Sequence, residues 1–288
     1  MRIVTLQTES GLRAGLEWNG RYLDIATNLS HLPSSVRELL RLGEVVHAQL
    51  QQLPERIEKP IYERGPIRLA APIPDPPKVI CVGLNYKDHA AESGAAIPAE
   101  PVLFSKFSSA VIGPEEPIRL PKVSKEVDYE AELVIVIGKR GRYIAEQEAR
   151  QYIAGYTIGH DVSARDWQLR KPGGQWLAGK TFDTFAPIGP ALVTRDEIPD
   201  PHQLHIELRL NGQVMQRSNT NQMIFSVDKL VSYISQVVTL EPGDLIFTGT
   251  PPGVGFARKP PVFLKPGDVV EIEIERIGIL RNPVMAED

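Results

Sequence analysis

The stretch Glu126-Val127-Asp128-Tyr129-Glu130-Ala131-Glu132-Leu133-Val134-Ile135-Val136-Ile137 decides how the rest of the chain is read. Its second half is an apolar, β-branched run of the kind that forms a buried strand. Carried back along one strand, the two-residue period places Glu126, Asp128, Glu130 and Glu132 on a single face. Successive carboxylates would stand about 7 Å apart and repel by roughly 2 kcal/mol per pair at an effective dielectric of 20. Water can screen such a row at a sheet edge, where charge is a common guard against aggregation. A row that runs straight into a core strand is better answered by a cation. Ligands that are all oxygen favour Mg²⁺, Mn²⁺ or Ca²⁺ over Zn²⁺ or copper.

Composition narrows the partners. With 288 residues and 42% hydrophobic content, the chain can bury one large core or two smaller ones. The net charge is −4, the pI is about 5.9, and Lys and Arg form no block, which argues against nucleic acid. The apolar runs fall far short of the ~18 residues that span a bilayer. The start, MRIVTLQTESGLR, alternates briefly and turns polar, unlike a signal or transit sequence, so the expected compartment is the cytoplasm. A single cysteine, Cys81, excludes an internal disulfide framework and a thiolate metal cage.

Outward from the acid segment, the chain reads as mostly β. Residues 1–25 alternate around Gly11 and Asn19-Gly20, as short strands with turns do. Ser35 to Leu53 has the apolar stripe of a helix, with Ser35 and Glu38 as a capping box. A connector dense in proline (Pro60, Pro66, Pro72, Pro74, Pro76, Pro77) follows and places a boundary near residue 70, between a small α+β unit at 1–70 and the remainder at 71–288. Strand-like runs then recur at 79–82, 102–105, 133–137, 156–160, 204–210, 245–248 and 269–274, with Asn211-Gly212 as a hairpin turn. Helices are expected only at 145–153 and 227–238. The lack of regular βαβ alternation argues against a doubly wound sheet, and a mixed α/β, β-rich sandwich or roll with few peripheral helices fits better.

Several residues could do chemistry. In a helical turn, His89 and Glu92 share a face, and a carboxylate on Nδ1 would make the other ring nitrogen a competent base; an incidental surface pair has the same spacing. Asp161 follows the 156–160 strand and suits either a site acid or a helix N-cap. Residues 174–181, GQWLAGKT, match the phosphate-loop pattern letter for letter. That motif needs a buried strand before it and a helix after it, and neither 169–173 nor 181–187 supplies one. Lys180 remains as a cation for an anionic substrate. The Gly- and Pro-rich segment Thr248–Gly255 can bring backbone close to a ligand or make an ordinary turn.

Five motifs, in order over about two hundred residues, resemble the fumarylacetoacetate hydrolase superfamily: Val82-Gly83-Leu84-Asn85-Tyr86…His89, Asp128-Tyr129-Glu130-Ala131-Glu132, Asp161-Val162-Ser163-Ala164-Arg165-Asp166, Gly179-Lys180-Thr181-Phe182-Asp183-Thr184 and Thr248-Gly249-Thr250-Pro251. The similarity is greatest to its stand-alone fumarylacetoacetate hydrolase domain-containing proteins. The resemblance implies a roll of mixed sheets (sandwich or barrel) and a homodimer. It implies Mg²⁺ or Mn²⁺ held by Glu130, Glu132 and Asp161, with catalytic roles for His89 and Glu92 on a lid and for Lys180. It places substrate contacts on Arg165, Gln168 and Thr250. Two positions depart from relatives: residues 80–87 hold no acid for a fourth metal ligand, and Leu84 stands where several carry Arg. The implied substrate is a 2-oxo acid or dicarboxylate. Acylpyruvate C–C hydrolysis by a His89-activated water is the first expectation; oxaloacetate tautomerisation, decarboxylation or hydroxymuconate isomerisation would use the same residues.

Overall fold

The computed structural model describes residues 1–55, 61–63, 67–93 and 96–287; Pro60 and Pro66 of the connector lie outside them. The centre of the molecule is the strand Ala131–Ile137, every residue of which is buried. Leu133, Ile135 and Ile137 face a core shared with Ile158, Ile206, Leu208, Ile272 and Leu280. Val134 and Val136 face a second core with Ile3, Val36, Leu39, Ile188 and Leu192. Burial on both faces is why this segment reads as a continuous apolar run and not as an alternation.

Around it lies a large sheet whose main path runs Ile61–Glu63, Arg21–Asp24, Gly11–Trp18, Arg2–Thr8, Ala186–Thr194, Ile153–His160, Ala131–Ile137, Leu245–Phe247, Val79–Gly83, Val102–Lys106. Among the described residues its two ends do not pair, so it is open. Neighbours on this path are antiparallel except Leu245–Phe247 with Val79–Gly83, which is parallel. A five-stranded sheet packs across the first core, in the order Gln213–Asn219, His205–Leu210, Val269–Ile274, Gly278–Ala286, Ile118–Leu120. The result is the mixed, sheet-rich roll expected from sequence. The 1–70 unit remains a proposal; its first strand, Arg2–Thr8, pairs with Ala186–Thr194 in the large sheet.

Local departures have physical causes. The acid row does not continue one strand: Val127–Asp128 pairs separately with Ser163–Ala164, and the core strand begins only at Ala131. Ser35–Leu53 forms two helices, Val36–Arg41 and Glu44–Gln52, separated at Gly43, whose φ of 70° no helix accommodates. The Ser35 side chain makes no capping bond. The helix expected at 145–153 is a 3₁₀ segment, Glu146–Tyr152, whereas Val227–Val237 is helical and capped by Ser226. No described helix is long and apolar enough to cross a membrane.

Candidate active site

The break at Tyr129–Glu130 turns the acids into different surroundings. Glu126 pairs with Arg170 at the surface. Asp128 is fully buried and accepts from Arg165 Nε at 2.8 Å and from the backbone N–H groups of Tyr129, Gly255 and Phe256 at 2.7–3.0 Å. Glu130 and Glu132 flank Ala131, and Asp161 leaves the neighbouring strand, its N–H bonded to the Glu130 carbonyl at 3.0 Å. Glu130, Glu132 and Asp161 are buried, and each offers a carboxylate oxygen within 4.8 Å of the others'. Asp161 caps no helix, because the next one begins at Arg165.

Cations interleave with these acids. Lys180 Nζ donates to Glu130 Oε2 at 2.8 Å and Asp161 Oδ2 at 2.9 Å, and lies 5.1 Å from the Phe104 ring centre. Lys180 ends the short helix Leu177–Lys180, which seats against the Arg165–Arg170 helix through Gly179; a Cβ there would lie 2.4 Å from the Gln168 nitrogen. The phosphate-loop match is therefore fortuitous, since its lysine is spent on two carboxylates. Arg165 donates Nη2 to Glu130 Oε1 at 2.6 Å and Nη1 to Gln168 Oε1 at 2.8 Å. Lys106, at the end of Val102–Lys106, meets Asp161 Oδ1 at 2.7 Å and the carbonyls of Val162, Phe185 and Lys180.

Charge bookkeeping shows what the cluster is suited to hold. The buried acids Asp128, Glu130, Glu132 and Asp161 outnumber the buried cations Lys106, Lys180 and Arg165 by one. The excess falls on Glu132, which accepts the Gly249 N–H at 2.8 Å. Burial, with Asp161 and Glu130 beside it, pushes its carboxyl well above the ordinary range. For Glu130, Lys180 and Arg165 outweigh burial and hold the carboxyl far below that range. Burial opposes the Lys180 charge, yet Asp161 and Glu130 keep its pKa above that of an ordinary lysine. A hard divalent cation among the three oxygens would answer the residual negative charge, so the residues present fit one. His160, buried and paired in register with Ala131, has a pKa lowered to about 3 by burial, with Lys106 and Lys180 adding to the effect.

The histidine expected to act as a base sits on Lys87–Ser93, its Nδ1 3.3 Å from Glu92 Oε2. Both Glu92 oxygens accept the Gly253 N–H at 3.1 Å. Asn85, fully buried, donates to the Thr248 carbonyl at 2.8 Å. One loop, Thr248–Gly253, thus touches both the acid cluster, through Gly249, and the His89–Glu92 pair, through Gly253. The Thr250 hydroxyl donates to the Ala131 carbonyl at 2.9 Å.

The structure therefore brings Glu130, Glu132, Asp161, Lys180, Arg165 and Gln168 into one contact network, with His89, Glu92 and Thr250 joined to it through the loop. Sequence reasoning missed Lys106 and the inner role of Asp128. A lysine directly after the strand-like run 102–105 was the available signal for the first; the strand reading kept Asp128 among the acids, and the resemblance left it outside the ligand set.

This geometry has known counterparts. The family profile described as "Fumarylacetoacetate (FAA) hydrolase C-terminal" matches residues 78–285. The chain belongs to the fumarylacetoacetate hydrolase family. It is 51% identical over 99% of its length to "Oxaloacetate tautomerase fahd2, mitochondrial" of Xenopus laevis, covering 90% of that protein. Among solved structures it matches fumarylacetoacetate hydrolase from Exiguobacterium antarcticum, with 37% identity, TM-score 0.85 and full coverage of both chains. It also matches maleylpyruvate hydrolase from Sphingobium sp. SYK-6 in complex with manganese(II) and pyruvate, with 30% identity, TM-score 0.83 and full coverage of both. The maleylpyruvate hydrolase structure holds manganese(II) and pyruvate, the frog relative is named for oxaloacetate, and this chain is an enzyme of the same family. The cytoplasmic expectation is overturned: the frog relative carries the label mitochondrial. That expectation rested on the polarity of the first residues, which is weak evidence for compartment.

Proposed function

We propose that this enzyme interconverts the keto and enol forms of oxaloacetate with a divalent ion, Mg²⁺ or Mn²⁺, held by Glu130, Glu132 and Asp161. The observation that carries this reading is the name of the 51%-identical relative aligned over 99% of the chain. A bound ion would supply Lewis-acid polarisation of the 2-oxo group. The reaction moves one proton between C3 and the C2 oxygen and breaks no C–C bond. His89, with Glu92 accepting its Nδ1–H, takes the C3 proton on Nε2. Negative charge grows on the C2 oxygen. Lys180 has three N–H groups, two of which serve Glu130 and Asp161, leaving the third for that oxygen. Its raised pKa suits it to stabilise charge and not to give up a proton, so the enol proton comes from water. Arg165, Gln168 and Thr250 form the substrate side, the Gln168 oxygen being held by Arg165 Nη1.

A second reading, acylpyruvate hydrolysis, is supported by the maleylpyruvate hydrolase likeness and uses His89 and Glu92 to activate water. A single panel separates the two: enol decay of oxaloacetate and cleavage of acetylpyruvate, each with Mg²⁺. Fast enol decay that slows about 10²-fold or more in His89→Ala, with acetylpyruvate intact, is the expected result. Rapid acetylpyruvate cleavage with oxaloacetate decaying at the background rate would reverse the assignment.

A further inference from the structure

Gln216 lies on Gln213–Asn219 in the smaller sheet and is 1% exposed. Its side chain reaches across to the larger sheet. Gln216 Oε1 accepts the Ala131 N–H at 2.9 Å, while Nε2 donates to Thr250 Oγ1 at 2.9 Å and to the Pro251 carbonyl at 2.8 Å. The place is specific. Along the core strand, Leu245–Phe247 pairs only with Val134–Val136, so the edge at Ala131 has no strand beside it on that side. Its N–H goes to Gln216 and its carbonyl to Thr250, two side chains doing what a neighbouring strand would otherwise do. Ala131 is the residue between Glu130 and Glu132. A buried donor or acceptor left unmade there costs more than a bond at the surface.

We propose that Gln216 is a positioning residue that locks the Thr248–Gly253 loop onto the backbone between Glu130 and Glu132. Through that loop it fixes the acid cluster relative to the His89–Glu92 pair, because Gly249 and Gly253 bond Glu132 and Glu92 respectively. The neighbouring backbone works the same way: the Met215 carbonyl accepts Arg258 Nη2 at 2.5 Å, and Arg258 Nε reaches the Gly253 carbonyl at 3.2 Å. A Cβ on Gly253 would sit 2.1 Å from the Met215 oxygen, so loop and strand are in direct contact. Gln216 touches no reacting atom in this account.

The inference rests on the metal reading of Glu130, Glu132 and Asp161, and its test separates the two. Mn²⁺ affinity is measured by calorimetry on EDTA-stripped wild type, Gln216→Met and Ile272→Ala, the last being a core substitution at a residue 1% exposed in the same sheet. Gln216→Met is expected to weaken Mn²⁺ about 10-fold, the scale seen when groups that orient ligands are removed, and to lower kcat more than it raises KM. Ile272→Ala is expected to lower Tm and leave Mn²⁺ affinity alone. If Gln216→Met does not fold, Gln216→Asn is read by the same criteria. Unchanged Mn²⁺ affinity in the Gln216 variant, or an equal loss in Ile272→Ala, overturns the role; wild type that binds no Mn²⁺ overturns the metal reading instead.

Discussion

Glu132 carries a conflict between stability and function that can be measured. It is buried beside two other carboxylates, and its charge is what a divalent ion requires. Glu132→Gln keeps the shape and the bond from the Gly249 N–H while removing the repulsion. In EDTA at neutral pH this variant is expected to unfold at a higher temperature than wild type, by a margin on the order of 1–2 kcal/mol, and to bind Mn²⁺ more weakly. Calorimetric unfolding with and without metal checks both. A lower Tm in EDTA would mean that the acid is already compensated in the metal-free protein. The same residue shows why the site was legible: the alternating Glu130-Ala131-Glu132 spacing predicts two acids at one place whether or not the strand continues. Gln216 was not legible, because its partner Ala131 lies 85 residues away and no local spacing signals it.

Secondary structure was readable where propensity and burial agree and unreadable where tertiary packing overrides local chemistry. Val269–Ile274 alternates intermediate and buried residues as a half-covered strand should, and its bounds match the sequence reading. Ala186–Thr194 lies in the middle of the large sheet, yet Pro187 and Pro190 disguise it. The short helix Ile25–Asn28 escapes pattern reading because it is held by a single cap: Asp24 accepts the Thr27 N–H at 3.0 Å and pairs with Arg13. Burial pushes the Asp24 carboxyl up, but Arg13 and Thr27 outweigh it and leave the pKa below the ordinary value. A lowered pKa means that the folded carboxylate contributes stability above the ordinary aspartate range and loses it as pH falls through the folded value. Asp24→Asn is therefore expected to cost about 1 kcal/mol at pH 7 and nothing below that folded value. Equal Tm losses at neutral and acid pH would refute the ionic part of this cap.

At the scale of the molecule, two sheets and two cores serve to bring elements distant in sequence to one place. The strand Ala131–Ile137 supplies Glu132 and, at its threshold, Glu130; its neighbour Ile153–His160 delivers Asp161; the Leu177–Lys180 turn brings the lysine between them. The fold class was legible because strand-like runs recur without βαβ alternation, whereas the sheet order depends on pairings such as Arg2–Thr8 with Ala186–Thr194 that no local pattern encodes. Every chemical role assigned above depends on the three acids holding one divalent ion. The most direct test follows oxaloacetate enol decay by EDTA-stripped protein as Mn²⁺ is returned, for wild type and Glu130→Gln. Decay should rise from the background rate and saturate at one ion per chain in wild type, and stay at background in the variant while its Tm shows it folded. Stripped wild type that works at full rate, or a Glu130→Gln protein that recovers with Mn²⁺ as wild type does, would contradict the account.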